Sequence, residues 1–231
     1  MPHSPKPIAV VTGASRGIGR AIALRLAGAY EIVAIARSED ALEQLAQEIE
    51  AHGGSCRPRV VDITNESAVR SALTGIDADV LVNNAGVGML KPFLELTRDE
   101  WRQMVDVNFN ALFDVTRALL PGMMRRRTGH IVVIGSVAGR SAFVGGSCYA
   151  ATKHAVMAFT ECLMLEVRDS GVKVSVVNPA SVATEFSSRA DPSWMLAPEE
   201  VADAVAYTLS TPADVLVHRV EIRALSPKKH S

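Results

Sequence analysis

Hydrophobic residues in this chain form short uninterrupted runs that alternate with longer stretches in which they recur every three or four residues. The short runs are rich in β-branched residues and end in turn residues, which is typical of buried strands. The longer stretches predict amphipathic helices. The predicted strands are 8–13, 31–36, 56–63, 79–86, 130–136, 172–179 and 215–222, and the predicted helices are 16–28, 38–54, 65–75, 98–127, 147–170 and 198–210.

This alternation of strand and helix predicts the organisation of the chain. Because the strand runs are apolar throughout, the sheet is expected to be covered on both faces. We therefore predict an α/β fold with a doubly wound, mainly parallel seven-stranded sheet and helices on both faces. No low-complexity linker or longer repeat interrupts the sequence, which predicts a single domain over 1–231 with flexible ends at 1–6 and 226–231.

Composition excludes several classes of partner. The net charge is −1, so there is no basic field for nucleic acid or a membrane surface, and we expect neither as a partner. The three cysteines lack CxxC spacing and the six histidines lack an HxxxH pair, which argues against a disulfide framework and a metal site. No signal peptide is visible, and no apolar run reaches the ~20 residues of a membrane span. We expect a cytoplasmic protein.

The segment TGASRGIG, residues 12–19, follows a predicted strand and opens a predicted helix. Gly13 suits a tight turn, Gly17 lets the backbone approach a pyrophosphate, and Gly19 permits close packing of helix on strand. The start of the helix adds N–H donors and a partial positive charge. The segment predicts a dinucleotide-binding turn; the alternative is a tight turn without a ligand.

The residues that follow the second predicted strand indicate which dinucleotide would bind. An NAD site usually has an acidic residue there, which binds the ribose 2′-hydroxyl. This chain has Ala36 followed by Arg37, and Arg16 lies inside the glycine-rich turn. Two guanidinium groups can hold a 2′-phosphate. We therefore predict NADP(H); the alternative is that both arginines are ordinary surface charges.

Four further motifs follow in order along the chain: NNAG (83–86), Asn108, Ser136 and YAATK (149–153), with the serine thirteen positions before the tyrosine. Together with the glycine-rich turn they resemble the short-chain dehydrogenase/reductase family, over about residues 8–184. The resemblance implies a Rossmann-like version of the predicted fold and an oxidoreductase activity.

The resemblance also implies four catalytic residues. Tyr149 would be the general acid/base, and Ser136 would hydrogen-bond the substrate oxygen. Lys153 would bind the nicotinamide ribose and lower the pKa of Tyr149, while Asn108 would hold a water molecule that links Lys153 to solvent. These roles agree with the chemistry, because a ketone needs a proton at oxygen and a nearby ammonium favours the phenolate. Taken alone, Tyr149 and Lys153 would be an ordinary pair on an amphipathic helix.

By the same resemblance, further residues would contact the cofactor. They flank the adenine, line the cleft, or lie in the loop after the sixth strand, where Ala180 replaces the family's usual glycine. The predicted cofactor-binding residues are Gly13, Ser15, Arg16, Gly17, Ile18, Gly19, Arg37, Asp62, Ile63, Asn84, Ala85, Gly86, Tyr149, Lys153, Pro179, Val182 and Thr184.

The substrate is less constrained by the sequence. Residues 181–197 are too irregular for a helix and are expected to form a lid with apolar walls such as Phe186. Arg140 or Arg189 could meet a substrate carboxylate, but an arginine at such a position is more often simply an exposed surface charge. The C-terminal VLVHRVEIRALSPKK looks more like the branch of serine and 3-hydroxy-acid dehydrogenases than like 3-oxoacyl-carrier-protein reductases.

We therefore predict hydride transfer between NADP(H) and a small ketone, aldehyde or secondary alcohol. The alternatives are a 3-oxoacyl-carrier-protein reductase and a non-catalytic NADP-binding regulator on the same fold. Family members commonly pair through the helices here predicted at 98–127 and 147–170. The segment AVMAFTECLMLEV is apolar on nearly all sides, more than one sheet face requires. A homodimer or homotetramer is expected.

Overall fold

A computed structural model describes residues 6–187 and 192–225 of the chain. Its seven strands form one sheet in the order β3-β2-β1-β4-β5-β6-β7, and every neighbouring pair is parallel. The predicted fold class is confirmed. The strands are β1 (Ile8–Thr12), β2 (Glu31–Ala36), β3 (Ser55–Val60), β4 (Val80–Asn83), β5 (Gly129–Ile134), β6 (Val172–Pro179) and β7 (Arg219–Ile222).

In the described part of the chain six α-helices cover the sheet, and a seventh, α4, packs against α6. Alternate residues of a strand enter different cores: Val11 packs with the helices of one face and Val10 with those of the other. The first face carries α1, α2 and α7, and the second carries α3, α5 and α6. The helices are α1 (Gly17–Leu26), α2 (Glu39–Ala51), α3 (Glu66–Leu73), α4 (Arg98–Val105), α5 (Ala111–Arg126), α6 (Ser147–Val167) and α7 (Pro198–Leu209).

The helix predicted over 98–127 contains a π-helical turn. Helix α4 runs into the π-turn Asp106–Asn110 and continues as α5. Single π-turns inside α-helices occur frequently at functional sites. Asn108, one of the four predicted catalytic residues, lies in the middle of this turn and is buried.

Five predicted strands are shorter in the structure: β1, β3 and β5 end at Thr12, Val60 and Ile134, and the last strand and β4 lose the most. The last strand begins at Arg219 instead of 215. Before Arg219, the backbone carbonyls of Val215 and Val217 accept hydrogen bonds from side chains instead of from a neighbouring strand. Lys173 Nζ donates to Val215 O at 2.7 Å, and Ser175 Oγ donates to Val217 O at 2.7 Å. Strand β4 ends at Asn83 instead of 86. The next backbone N–H groups leave the sheet and bond a side chain of β1.

The sheet order reverses between β1 and β4, so the loops that follow these strands diverge and leave a crevice. The glycine-rich turn follows β1 and the NNAG segment follows β4. Within the two described ranges, no helix is long and apolar enough to cross a membrane. Residues 1–5 and 226–231, which include nearly all of the predicted flexible ends, and Arg189 lie outside those ranges.

Candidate active site

The glycine-rich turn presents the start of α1 to the crevice. Gly13 and Gly17 have φ values of +67° and +52°, which L-residues with a side chain rarely adopt. A Cβ on Gly19 would lie 2.2 Å from the carbonyl oxygen of Gly13, so the helix can approach the strand only without one. Among the described residues no side chain caps α1, and its first turn has no acidic residue. Its N–H groups suit an anion.

A threonine that sequence reasoning missed joins the two loops of the crevice. Thr12 Oγ1 accepts hydrogen bonds from the backbone nitrogens of Asn84, at 3.0 Å, and Ala85, at 3.2 Å. In return, Asn84 Nδ2 donates to Thr12 O at 2.9 Å. This exchange explains why β4 ends at Asn83 and why the NNAG segment has a fixed position. The signal in the sequence was a hydroxyl residue at the last position of a buried strand.

The side of the crevice where the resemblance implies an adenine is formed by the ends of β2 and β3. The backbone nitrogen of Val61 donates to Ala36 O at 2.9 Å, which places Asp62 and Ile63 beside Arg37. Hydrogen bonds from Thr64 hold the pKa of the Asp62 carboxyl below its usual value, and the charge of Arg37 adds to this. Arg37 itself is exposed.

Arg16 differs from the sequence expectation. Its guanidinium forms an ion pair with Glu185, in the segment after β6, instead of pointing to an open 2′-phosphate position. Both side chains are largely exposed, so the pair is weakly held and exchangeable. The backbone nitrogen of Ala14 donates to Ile35 O at 3.1 Å, which keeps the turn next to the end of β2, where Arg37 follows.

Ser136 follows the end of β5 and is held by a residue on β6. The backbone nitrogen of Ser136 donates to Asn178 Oδ1 at 3.1 Å, and Ser136 Oγ accepts from the backbone nitrogen of Ala138 at 3.1 Å. Ser136 is buried, as is Asn178. Asn178 was not among the predicted site residues; its position beside Ser136 depends on the pairing of β5 with β6.

Tyr149 and Lys153 lie one turn apart on α6, on one face, as predicted. Lys153 Nζ is 5.9 Å from the centre of the Tyr149 ring and donates to Ile134 O at 3.0 Å. Burial lowers the pKa of Lys153 to about 8. The pKa of Tyr149 is raised by burial, and a hydrogen bond with the Ser136 side chain opposes this. The net shift of the Tyr149 pKa is upward, and Lys153 Nζ donates to the carbonyl of Ile134 in β5.

The side chain of Asn108 makes three direct protein contacts. Its Oδ1 accepts from the backbone nitrogen of Val87 at 2.8 Å, and its Nδ2 donates to Val87 O at 2.9 Å and to Thr152 Oγ1 at 3.1 Å. The side chain thus ties the NNAG loop to α6. A small cavity next to it is lined by Thr12, Asn83, Asn108 and Lys153, among other residues.

The segment after β6 folds back towards both halves of the site. Pro179 ends β6, and Val182 is buried in the first core. Thr184 lies against Gly17, where a Cβ would be 3.2 Å from its methyl group. Arg127 is the one non-glycine residue with a positive φ in the described ranges, so Ala180 has a negative φ and needs no glycine.

Phe186 brings the same segment over Tyr149. Its ring centre is 5.4 Å from that of Tyr149. The Phe186 ring also occupies the space beside Gly88, where a Cβ would be 2.1 Å from it. Arg140, the described candidate for a substrate carboxylate, lies 4.0 Å from Glu221 and is mostly exposed.

The glycine-rich turn, Ser136, Tyr149 and Lys153 thus border one crevice at the carboxyl edge of the sheet. The sequence model of the family described as short chain dehydrogenase matches residues 7–193. The chain belongs to the short-chain dehydrogenase/reductase family.

Relatives within this family agree over nearly the whole chain. A Salmonella typhi protein named NADP-dependent 3-hydroxy acid dehydrogenase YdfG is 34% identical over 235 residues, which cover 93% of this chain and 94% of that protein. Among solved structures, the closed form of a serine dehydrogenase complexed with NADP⁺ has a TM-score of 0.90 at 31% identity and covers 97% of both chains. An alcohol dehydrogenase from Thermococcus sibiricus complexed with 5-hydroxy-NADP also has a TM-score of 0.90 at 31% identity, over 98% of this chain and 100% of that one.

The residues of this short-chain dehydrogenase/reductase fit a dinucleotide. The uncapped start of α1 offers donors to a pyrophosphate, and Arg37 offers charge beyond β2. The Nδ2 of Asn178 is a buried donor without a partner among the described residues, at the carboxyl edge of the sheet where ligands bind in this fold. When bound, a reduced nicotinamide would supply a hydride.

Proposed function

We propose that this enzyme transfers a hydride between NADP(H) and a small ketone, aldehyde or secondary alcohol, with Tyr149 as the general acid/base. The observation that carries the proposal is the convergence of Ser136, Tyr149 and Lys153 at one end of the crevice that begins at the glycine-rich turn. Helix α6 supplies the tyrosine and lysine, and the end of β5 supplies the serine.

The proposed chemistry follows from the protonation states of these groups. Tyr149 has a raised pKa and holds its proton at neutral pH, so it can donate that proton to a carbonyl oxygen during reduction. Ser136 would hydrogen-bond the same oxygen and stabilise its developing negative charge. Lys153, with a pKa of about 8, remains mostly positive at neutral pH and stabilises the phenolate that forms.

The preference for NADP(H) is supported by the positive charge of Arg37, which follows the end of β2. Ala36 and Arg37 stand where an NAD site would usually place an acid, so a 2′-phosphate meets an exposed cation and no carboxylate at that position. Asp62 lies nearby, but its carboxylate is held by hydrogen bonds from Thr64. The relatives named or solved with NADP support the same choice.

Assembly into a homodimer or homotetramer is part of the proposal. Helix α6 buries one side against the sheet and leaves a second, weakly polar stripe exposed. Such a stripe on a long helix is what a pairing helix needs. The apolar and thiol residues of the stripe are Ala151, Ala158, Cys162 and Leu165, and the exposed His154, Glu161 and Glu166 lie among them.

We also propose a cytoplasmic location. All three cysteines of the sequence, Cys56, Cys148 and Cys162, are free thiols. Free thiols persist in a reducing compartment.

The direct test is a carbonyl screen with the purified protein, in which loss of NADPH absorbance is followed. The panel contains small ketones and aldehydes, 3-oxo acids, and a 3-oxoacyl thioester for the alternative of an acyl-carrier-protein reductase. Turnover of a small carbonyl compound that Tyr149→Phe abolishes supports the proposal. NADPH binding without turnover of any compound contradicts it and favours a cofactor-binding regulator.

A further inference from the structure

Thr152 is a buried threonine that lies between Tyr149 and Lys153 on α6 and is 4% exposed. No motif assigns it a function. A threonine inside a helix usually returns its hydroxyl to a carbonyl three or four residues earlier, which satisfies the hydroxyl locally. Thr152 Oγ1 does so by donating to Tyr149 O at 2.8 Å. It also makes a second, long-range contact.

The second contact gives the hydroxyl a fixed direction. Asn108 Nδ2 lies 3.1 Å from Thr152 Oγ1. An amide NH₂ group can only donate, so the hydroxyl oxygen accepts there and its single proton goes to Tyr149 O. The three residues form one directional chain, from the Asn108 amide through the Thr152 hydroxyl to the backbone of the catalytic tyrosine.

The other end of this chain is the loop that follows β4. Asn108 contacts Val87 through both its backbone nitrogen, at 2.8 Å, and its carbonyl oxygen, at 2.9 Å. Both amide hydrogens of Asn108 are then used, one by Val87 and one by Thr152. Loss of the Thr152 hydroxyl would leave a buried amide hydrogen without a partner and would free Asn108 to move.

We propose that Thr152 is a positioning residue for the reaction. Through Asn108 it fixes the Tyr149–Lys153 turn of α6 relative to the Val87 loop, which borders the cofactor crevice. Proton and hydride must reach the two ends of one carbonyl bond, so the distance between α6 and this loop sets the reacting geometry. The inference rests on the proposed function, because it assigns Thr152 to the same reaction.

Thr160 provides a matched control on the same helix. It is 0% exposed, and its Oγ1 donates to Val156 O at 2.7 Å. It thus makes the ordinary helical contact of a buried threonine, eight residues from Thr152. Thr152→Val and Thr160→Val remove the same hydroxyl in the same helix, and only the first breaks the link to Asn108.

The test compares Thr152→Val, Thr152→Ser and Thr160→Val by turnover, NADPH binding and hydrogen exchange. We expect Thr152→Val to lower kcat by about 10- to 100-fold while the NADPH Kd changes by less than about threefold. Thr152→Ser should restore most of kcat, and Thr160→Val should keep it within about twofold of the wild type. If the Thr152→Val variant does not fold, Thr152→Ala is used in its place.

Hydrogen exchange gives a readout that needs no turnover. Backbone amides around Val87 should exchange faster in Thr152→Val than in Thr160→Val, because Asn108 loses one of its anchors. Unchanged exchange in that loop, or equal kcat in the two valine variants, overturns the inference. A wild type that turns over no carbonyl refutes the proposed function, and the exchange result then still decides whether Thr152 positions the loop.

Discussion

The side-chain oxygen of Asn178 accepts a hydrogen bond from the backbone nitrogen of Ser136 over 3.1 Å and so joins the carboxyl ends of β6 and β5. The same oxygen lies 2.1 Å from the point that a Cβ on Gly135 would occupy. The backbone leading into Ser136 therefore rests directly on a side chain of the neighbouring strand. This contact determines where the Ser136 hydroxyl can point.

Replacement of Asn178 should therefore impair the chemical step. We expect Asn178→Ala to lower kcat by about tenfold or more, because the Ser136 backbone loses its anchor and the hydroxyl its alignment. Steady-state kinetics with NADPH and a carbonyl substrate measure the effect. Asn65 is the matched control: its Oδ1 also accepts from a backbone nitrogen, that of Ala68, at 3.1 Å, but at the start of α3. Equal kcat values for Asn178→Ala and Asn65→Ala would contradict the prediction.

Arg37 should determine the choice of cofactor. We expect Arg37→Asp to raise the Kd of NADPH by about tenfold or more relative to that of NADH, because a carboxylate would face the 2′-phosphate. Fluorescence titration of both cofactors measures this ratio. Arg70→Asp makes the same charge change on α3 and should leave the ratio unaltered. An unchanged ratio in Arg37→Asp would show that another group binds the phosphate.

His130 should make the protein less stable in acid. Its Nε2 lies 2.7 Å from Ser175 Oγ, and burial, reinforced by Lys173, lowers its pKa from 6.5 to about 4. Between pH 6.5 and pH 4 the unfolded chain binds a proton at His130 that the folded protein does not bind. The contribution of neutral His130 to the free energy of unfolding is therefore fully present above pH 6.5 and is lost as the pH falls towards 4. The loss should be roughly 3 kcal/mol in the free energy of unfolding.

Urea unfolding at a series of pH values tests this assignment. In His130→Gln the part of the acid slope between pH 6.5 and 4 should disappear, whatever the variant's stability at neutral pH. The same slope in variant and wild type would mean that other groups cause the acid loss.

The exposed stripe of α6 should form the interface between subunits. Leu165 is 51% exposed on a helix whose opposite side is buried in the core. We expect Leu165→Glu to lower the molar mass measured by light scattering to that of a smaller assembly, because it places a charge at an apolar position of the proposed interface. Tyr207→Glu on α7, which is also exposed, should keep the wild-type mass. A wild type that is monomeric at micromolar concentration would contradict the proposed assembly.

The fold could be predicted because each local pattern agreed with its neighbours. Strands such as β5 are apolar on both faces, which required helices on both sides and hence parallel pairing. The glycine-rich turn and the YAATK segment were recognisable because their spacing is local. The shortening of β7 was not predictable, since it depends on Lys173, whose position is set by β6.

The contacts that support the site were also beyond the sequence. The hydrogen-bonded residues are far apart in the sequence: Thr12 and Asn84 are separated by 72 positions, Asn178 and Ser136 by 42, and Thr152 and Asn108 by 44. Each pair depends on strand order and register, which periodicity does not specify. The same reason explains why the Arg16–Glu185 pair was not foreseen.

The kcat of Tyr149→Phe is the measurement that tests the proposed function most directly. The variant keeps the ring against Phe186 and removes only the hydroxyl. We expect carbonyl reduction with NADPH to fall by at least about 100-fold while NADPH still binds with wild-type affinity, since the proton donor is lost and the crevice is unchanged. A Tyr149→Phe enzyme that reduces the same carbonyl within a few-fold of the wild-type rate would contradict a general acid at Tyr149.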